Sequence, residues 1–163
     1  MKLTKFAKKD YAGLKDFMTP IWRETYAEIL PKAQVEYLIE KYFSLEAIAE
    51  YCKKGYRYFY VTDGEVCGVV VIWEKEREVH LDKLYLLPEA RGKGYADFVF
   101  GELKKIGKDI TLNVSRENVR AVKCYRKNGF LVESELEIPL EKGMVNFDYR
   151  MRWVCPNPKD AAK

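Results

Sequence analysis

The chain has 163 residues, 29 basic and 25 acidic for a formal charge of +4, with 48% hydrophobic and 33% charged positions. A chain near this length buries roughly 68–70% of its unfolded surface, which argues against disorder and for one domain. So balanced a charge demands no nucleic-acid partner, yet it does not repel a phosphorylated ligand.

Taken in order, "KLTKFA" (2–7) reads as a short strand, and Asp10 suits the N-cap of a helix with Leu14, Phe17, Met18 and Ile21 on one side. Pro20 is expected to kink that helix or end its first part. Pro31 fits the first residue of a second helix with Val35, Leu38, Ile39 and Phe43 inward, and Ser44 can cap a third carrying Leu45, Ile48 and Tyr51. The period then shortens. "RYFYVTDGEVCGVVVIWE" (57–74) is β-branched and aromatic around Asp63-Gly64, a hairpin pattern, and "REVHLDKLYLLP" (77–88) is the next strand, closed by Pro88. Tyr95, Phe98, Val99, Leu103 and Ile106 recur at helical spacing, and "DITLNV" (109–114) is strand-like. Val119, Val122, Cys124 and Tyr125 mark another helix with Asn128-Gly129 as its exit. "FLVESELEIPL" (130–140) and "VNFDYRMRW" (145–153) close the chain as strands joined near Lys142-Gly143. The order predicts a mixed α/β domain over 1–154 with a flexible tail at 155–163.

Four scattered cysteines without a C-x-x-C pair, and one histidine, cannot complete a zinc set, so no metal is expected. The start lacks an apolar stretch of signal-peptide length and the longest apolar run is too short for a bilayer, which makes the cytoplasm the expected compartment, with no membrane partner.

Arg91-Gly92-Lys93-Gly94-Tyr95-Ala96 sits between a strand and a helix. The first turn of such a helix exposes unpaired N–H groups at its positive dipole end, and glycines let a ligand approach, so a pyrophosphate is the natural guest. The spacing fits neither the phosphate loop of nucleotide hydrolases nor the dinucleotide fingerprint. A second pattern follows in "NVRAVKCYRKNGF": Asn118, Ala121, Tyr125, Gly129 and Phe130. Together the two segments resemble the GNAT superfamily of acetyl-coenzyme A-dependent N-acetyltransferases, whose loop reads Arg/Gln-x-x-Gly-x-Gly/Ala, matched by Arg91, Gly94 and Ala96. That family's next helix reads Asn-x-x-Ala-x-x-x-Tyr-x-x-x-Gly-Phe, matched by the five residues above.

The resemblance covers about Val79 to Phe130, and the N-terminal helices look more loosely like those of the polyamine and ribosomal-protein acetyltransferase branch. It implies a mixed central sheet, mostly antiparallel, with helices on both faces and a splayed strand pair at the cofactor site. Acetyl-coenzyme A is the implied co-substrate. Its pyrophosphate falls to the N–H groups of Gly92 to Ala96, with Arg91 and Lys93 adding charge. The main chain near Leu86 and Leu87 falls to the thioester, one N–H polarising the acetyl carbonyl. Asn118 either bonds the pantetheine arm or caps its helix. Tyr125 is the implied acid that protonates the departing thiolate, a phenol with an ordinary pKa of about 10 lying above a thiol.

For the amine's proton, some relatives carry a glutamate where this chain has Asn113, which cannot be a base. Strand alternation sets His80, Asp82, Leu84 and Leu86 on one face, and many relatives have a glutamate at the place of His80. His80 is therefore a candidate proton relay through water, with Asp82 as its alternative. Trp22, Glu24 and Tyr26 fall at the implied acceptor-lining turn, beside His80. Glu24 with Glu28 and Glu36 with Glu40 suit either a cationic amine or a solvated mixed face. No cysteine has an activating setting, although Cys124 adjoins Tyr125.

The reading is acetyl transfer to a primary amine by direct attack in a ternary complex, the acceptor being a small or polyamine-like molecule. A protein N-terminus or lysine is the alternative acceptor, and a non-catalytic acyl-coenzyme A sensor the alternative class. A monomer or a homodimer fits either.

Overall fold

Seven strands, each rich in β-branched or aromatic residues on at least one face, hydrogen-bond into one sheet in the computed structural model, which describes residues 1–158. They are β1 (Lys2–Lys5), β2 (Tyr56–Asp63), β3 (Glu65–Glu74), β4 (Glu78–Leu86), β5 (Asp109–Ser115), β6 (Leu131–Pro139) and β7 (Val145–Trp153), in the order β1-β2-β3-β4-β5-β7-β6. Every neighbouring pair is antiparallel except β4 and β5. The expected hairpin turns on Gly64, whose φ of +78° belongs to the region that favours glycine.

Five helices cover both faces: α1 (Leu14–Tyr26), α2 (Lys32–Phe43), α3 (Leu45–Lys53), α4 (Tyr95–Lys104) and α5 (Val119–Lys127). Alternation along β3 splits the core. Val69 and Val71 pack with Leu14, Met18, Leu38 and Phe43 of α1 and α2, whereas Val70 and Ile72 pack with Val99, Phe100 and Val122 of α4 and α5. Each fully buried aliphatic side chain contributes about 1.5–3 kcal/mol. Ser44 caps α3 as expected, its Oγ accepting from the Ala47 N–H at 3.2 Å.

Local expectations change at Asp10, Pro20 and Pro31. Asp10 lies inside a tight turn at Lys8–Gly13, and its carboxylate accepts from the Ala7 N–H at 2.7 Å, so it does not cap α1. Pro20 neither ends nor splits α1, because Met18, Ile21 and Trp22 on either side of it are buried and hold both halves against the core. Pro31 stands one position ahead of α2, as its cap. Cys155, assigned to the tail, is buried, and its N–H donates to Asp109 at 2.9 Å. Residues 159–163 lie outside the described residues. No described helix is long and apolar enough to cross a membrane.

What positions the site is the parallel pair, the only one among the described residues. β4 and β5 are in register only from Glu78↔Asp109 to Leu81↔Leu112. At Asp82 the β3–β4 register slips by one, from Ile72↔Leu81 to Val71↔Lys83. The extra residue bends β4, while β5 runs on beside β7 as far as Ser115↔Asp148. The strands therefore part beyond Leu81, leaving the expected splayed pair.

Candidate active site in the strand gap

A cleft of about 260 Å³ occupies this gap, walled by α1 and α2, the free ends of β4 and β5, α5 and the β6–β7 hairpin. A single amide joins two of the walls: buried Gln34 of α2 donates through Nε2 to the Val145 carbonyl and to Asn146 Oδ1 on β7, both at 2.9 Å.

At one end lies the glycine loop. Gly92 and Gly94 have φ of +72° and +85°, and a Cβ on either would meet nothing within 4 Å, so the loop opens outward. The first bond of α4 runs from the Phe98 N–H to the Gly94 carbonyl, and no side chain caps the helix. The N–H groups of Tyr95, Ala96 and Asp97 precede that bond, which leaves them for an outside acceptor. These residues fit a pyrophosphate. The Tyr95 side chain itself turns toward the hairpin, its hydroxyl donating to Asp63 at 3.2 Å.

Arg91 and Glu24, drawn from the expected cofactor and acceptor sets, form one fork: both guanidinium NH groups bond the carboxylate at 2.9 and 2.8 Å. That pairing holds the Glu24 carboxyl below its ordinary range. Lys93 is exposed. Glu36 pairs with Arg23 and Glu40 with Lys15, so these two carboxylates belong to a mixed, charge-matched face.

Of the two leucines at the gap, Leu87 spends its N–H on the Cys67 carbonyl at 2.8 Å and cannot turn it toward the cleft. Ladder alternation then points the N–H of Leu86, partner of Gly68, away from β3 and toward the gap. At Gly68 the neighbouring strand leaves no room for a side chain: a Cβ there would stand 2.4 Å from the Tyr85 carbonyl oxygen.

Asn118 caps α5, accepting the Ala121 N–H at 3.3 Å, and also lines the cleft. Two turns further on, Tyr125 packs edge-on against Phe100, with centroids 5.7 Å apart, and reaches the cleft wall. Burial, with Tyr26 and Cys124 nearby, pushes its phenol well above the ordinary value, so it stays protonated as a donor must. Burial also raises the neighbouring Cys124 thiol, which makes it a poor nucleophile.

His80, Asp82, Leu84 and Leu86 do not share one face. The bulge at Asp82 inverts the alternation: Leu84 and Leu86 join Val79 and Leu81 against α4 and α5, while Lys83 and Tyr85 turn to the α1–α2 side. His80 Nδ1 is 3.0 Å from the hydroxyl of buried Thr111, and burial keeps its ring below the ordinary value despite the pull of Asp82. Asp82 is ion-paired to Lys83, a buried lysine whose Nζ lies 4.5 Å from the centre of the Tyr42 ring. Trp22 and Tyr26 do line the cleft, with the Trp22 Nε1 buried and without a hydrogen-bond partner among the described residues. Tyr26 and Tyr85 share a hydroxyl–hydroxyl bond of 2.6 Å, and burial pushes Tyr26 up to about 12. Asn113 lines the cleft, an amide and no base.

Sequence reasoning missed Tyr42, Lys83, Tyr85 and Asp148. Alternation in "VNFDYRMRW" does set Asn146, Asp148 and Arg150 on one face, and that was the available signal for Asp148.

The site thus brings together a parallel strand pair that opens, free helix N–H groups and a protonated phenol. Residues 16–130 match the model of the Acetyltransferase (GNAT) family, and the chain belongs to that family. It is similar to the PaiA N-acetyltransferase of Thermoplasma acidophilum crystallised with coenzyme A, at 22% identity and TM-score 0.73 over 94% of this chain and 98% of that one. The spermidine N-acetyltransferase of Vibrio cholerae, solved with CoA and spermine, matches at 21% identity and TM-score 0.66 over 96% of each. At these identities the likeness is one of fold. The peptidyl-lysine N-acetyltransferase YjaB of Salmonella typhimurium is 32% identical over 59 residues, 36% of this chain and 41% of that protein's length.

Proposed function

We propose that this chain transfers an acetyl group from acetyl-coenzyme A to the primary amine of a small molecule, polyamines among the candidates, by direct attack in a ternary complex. One observation carries the reading: the space beside the glycine loop and Tyr125 is a cleft of about 260 Å³, bounded by α1 and α2 on one side and the β6–β7 hairpin on the other. That is near the lower limit of small-molecule sites.

When bound, the coenzyme supplies an acetyl group activated as a thioester. The N–H groups of Gly92 to Ala96 bind its pyrophosphate. The Leu86 N–H orients and polarises the carbonyl, and Tyr125 Oη holds the proton that the departing sulfur needs. Tyr26 and Tyr85 seal the acceptor side from bulk water.

A peptidyl amine is the second reading, favoured by the 59-residue match to a peptidyl-lysine acetyltransferase. Coenzyme A release measured over polyamines, monoamines, amino acids, aminoglycosides and short peptides tests both. Turnover is expected with small amines. Turnover confined to peptides replaces the acceptor class, and coenzyme binding with no turnover on any amine favours a sensor.

A further inference from the structure

We infer that Asp148 is the catalytic residue that receives the acceptor's ammonium and removes its proton. The step balances as R–NH3+ plus the Asp148 carboxylate giving R–NH2 plus the Asp148 carboxylic acid; the nitrogen keeps the electron pair with which it attacks. The inference rests on the amine-acetylation reading above and names the base that reading lacks.

Three features single out Asp148. It lines the cleft from β7, opposite Ser115 on β5, at the end of the gap where the strands have parted. It shares the cleft lining with Tyr26 of α1 and Tyr42 of α2, on the side where an acceptor would enter, and both phenols are raised by burial first and by its charge further. Of the two carboxylates that line the cleft, that of Asp82 is taken by Lys83, whereas that of Asp148 has no hydrogen bond or ion pair among the described residues; Glu24, beside the lining residue Thr25, is taken by Arg91.

Lys83, Arg116 and Arg150 among the charged neighbours are paired elsewhere. From β4, His80, Asp82, Lys83 and Tyr85 line the cleft, and Lys83 serves Asp82. Arg116, just past β5, pairs with Glu135 of β6 at 3.1 Å; Arg150 of β7 pairs with Glu78 and Glu133; Arg120 of α5 pulls down the Glu24 carboxyl. Burial raises the Asp148 carboxyl against the pull of Arg116. The same low-dielectric wall lowers an amine's pKa, so the neutral pair is favoured from both sides and the gap the proton must cross narrows. A single uncompensated carboxylate selects one ammonium at the reacting end.

The test is Asp148→Asn, which keeps shape, with Asp148→Ser as a second variant, each checked by thermal melting and coenzyme A calorimetry. With the best amine of the panel, turnover at neutral pH should fall about 10²–10⁴-fold, as for loss of a general base. It should recover toward the wild type above the amine's own pKa, with coenzyme affinity unchanged. Independently, the Asp148 carboxyl resonance, assigned by its loss in Asp148→Asn, should titrate at lower pH when the amine is added in the presence of coenzyme A. Parallel pH–rate profiles, or a carboxyl titration that no amine moves, overturns the inference. Peptide-only turnover with the same pH signature keeps Asp148 as base and overturns the small-amine acceptor alone.

Discussion

Gly68→Ala tests the tight contact between β3 and β4. The new Cβ would stand 2.4 Å from the Tyr85 carbonyl oxygen, 2.8 Å from Leu86 Cδ2 and 3.1 Å from Leu86 Cα. Leu86 Cδ2 can rotate away. The carbonyl and the Cα are main chain, so β4 itself must retreat by about 1 Å to restore ordinary contact distances. Overpacking of this kind costs about 1–3 kcal/mol, offset by the ~0.4–1 kcal/mol that alanine gains by restricting the unfolded chain. For a chain of this length a net loss of about 1–2 kcal/mol lowers Tm by about 2–8 °C. The shift is felt at Leu86, whose N–H faces the gap, so coenzyme A affinity should fall together with Tm. Thermal unfolding and calorimetry on matched samples read both. An unchanged Tm with unchanged affinity would show that β3 and β4 separate freely, and would refute the idea that the gap edge is fixed by this contact.

Gly94→Val forces a β-branched residue to φ near +85°, a strain of about 1–3 kcal/mol, and sets methyl groups beside the free N–H groups. Coenzyme affinity should drop at least tenfold by calorimetry, and an unchanged value removes the loop from the site. Tyr125→Phe keeps the packing on Phe100 and removes only the acid, so turnover should fall about 10²–10⁴-fold with affinity retained; near-normal turnover on a chemically limiting amine rejects the role. His80 sits below its ordinary value in the fold, so the unfolded chain binds more protons there. Its contribution to stability is present above about pH 6.5 and is lost as pH falls through the folded value. The urea midpoint of His80→Gln should therefore be flatter than the wild type between pH 7 and 5, and an identical slope would remove His80 from that dependence.

The fold was legible where its signals are local. Ser44, the Asp63-Gly64 turn and the helical spacing from Tyr95 each act within a few residues of chain, and the structure keeps them. The glycine loop belongs to the same class, because its conformation and free N–H groups follow from six adjacent positions. Alternation failed at Asp82 because it assumes an unbroken pleat, and a one-residue bulge leaves no mark in "HLDKLYL". The fork between Arg91 and Glu24 joins residues 67 apart, and Asp148 enters the cleft only because β7 lies beside β5. Such juxtapositions come from sheet order, which no local pattern encodes.

Gln34 turns the cleft's breadth into a mechanical quantity. Its amide is a strut between α2 and β7, tying the wall that carries Leu38 and Tyr42 to the one that carries Asn146 and Phe147. An amine with a bulky substituent must prise them apart and give up two hydrogen bonds, each worth about 0.5–1.5 kcal/mol net. Steric tolerance is thereby graded: one added branch costs roughly ten- to a hundredfold in selectivity, set far from the reacting nitrogen and adjustable at residue 34 without touching the chemistry.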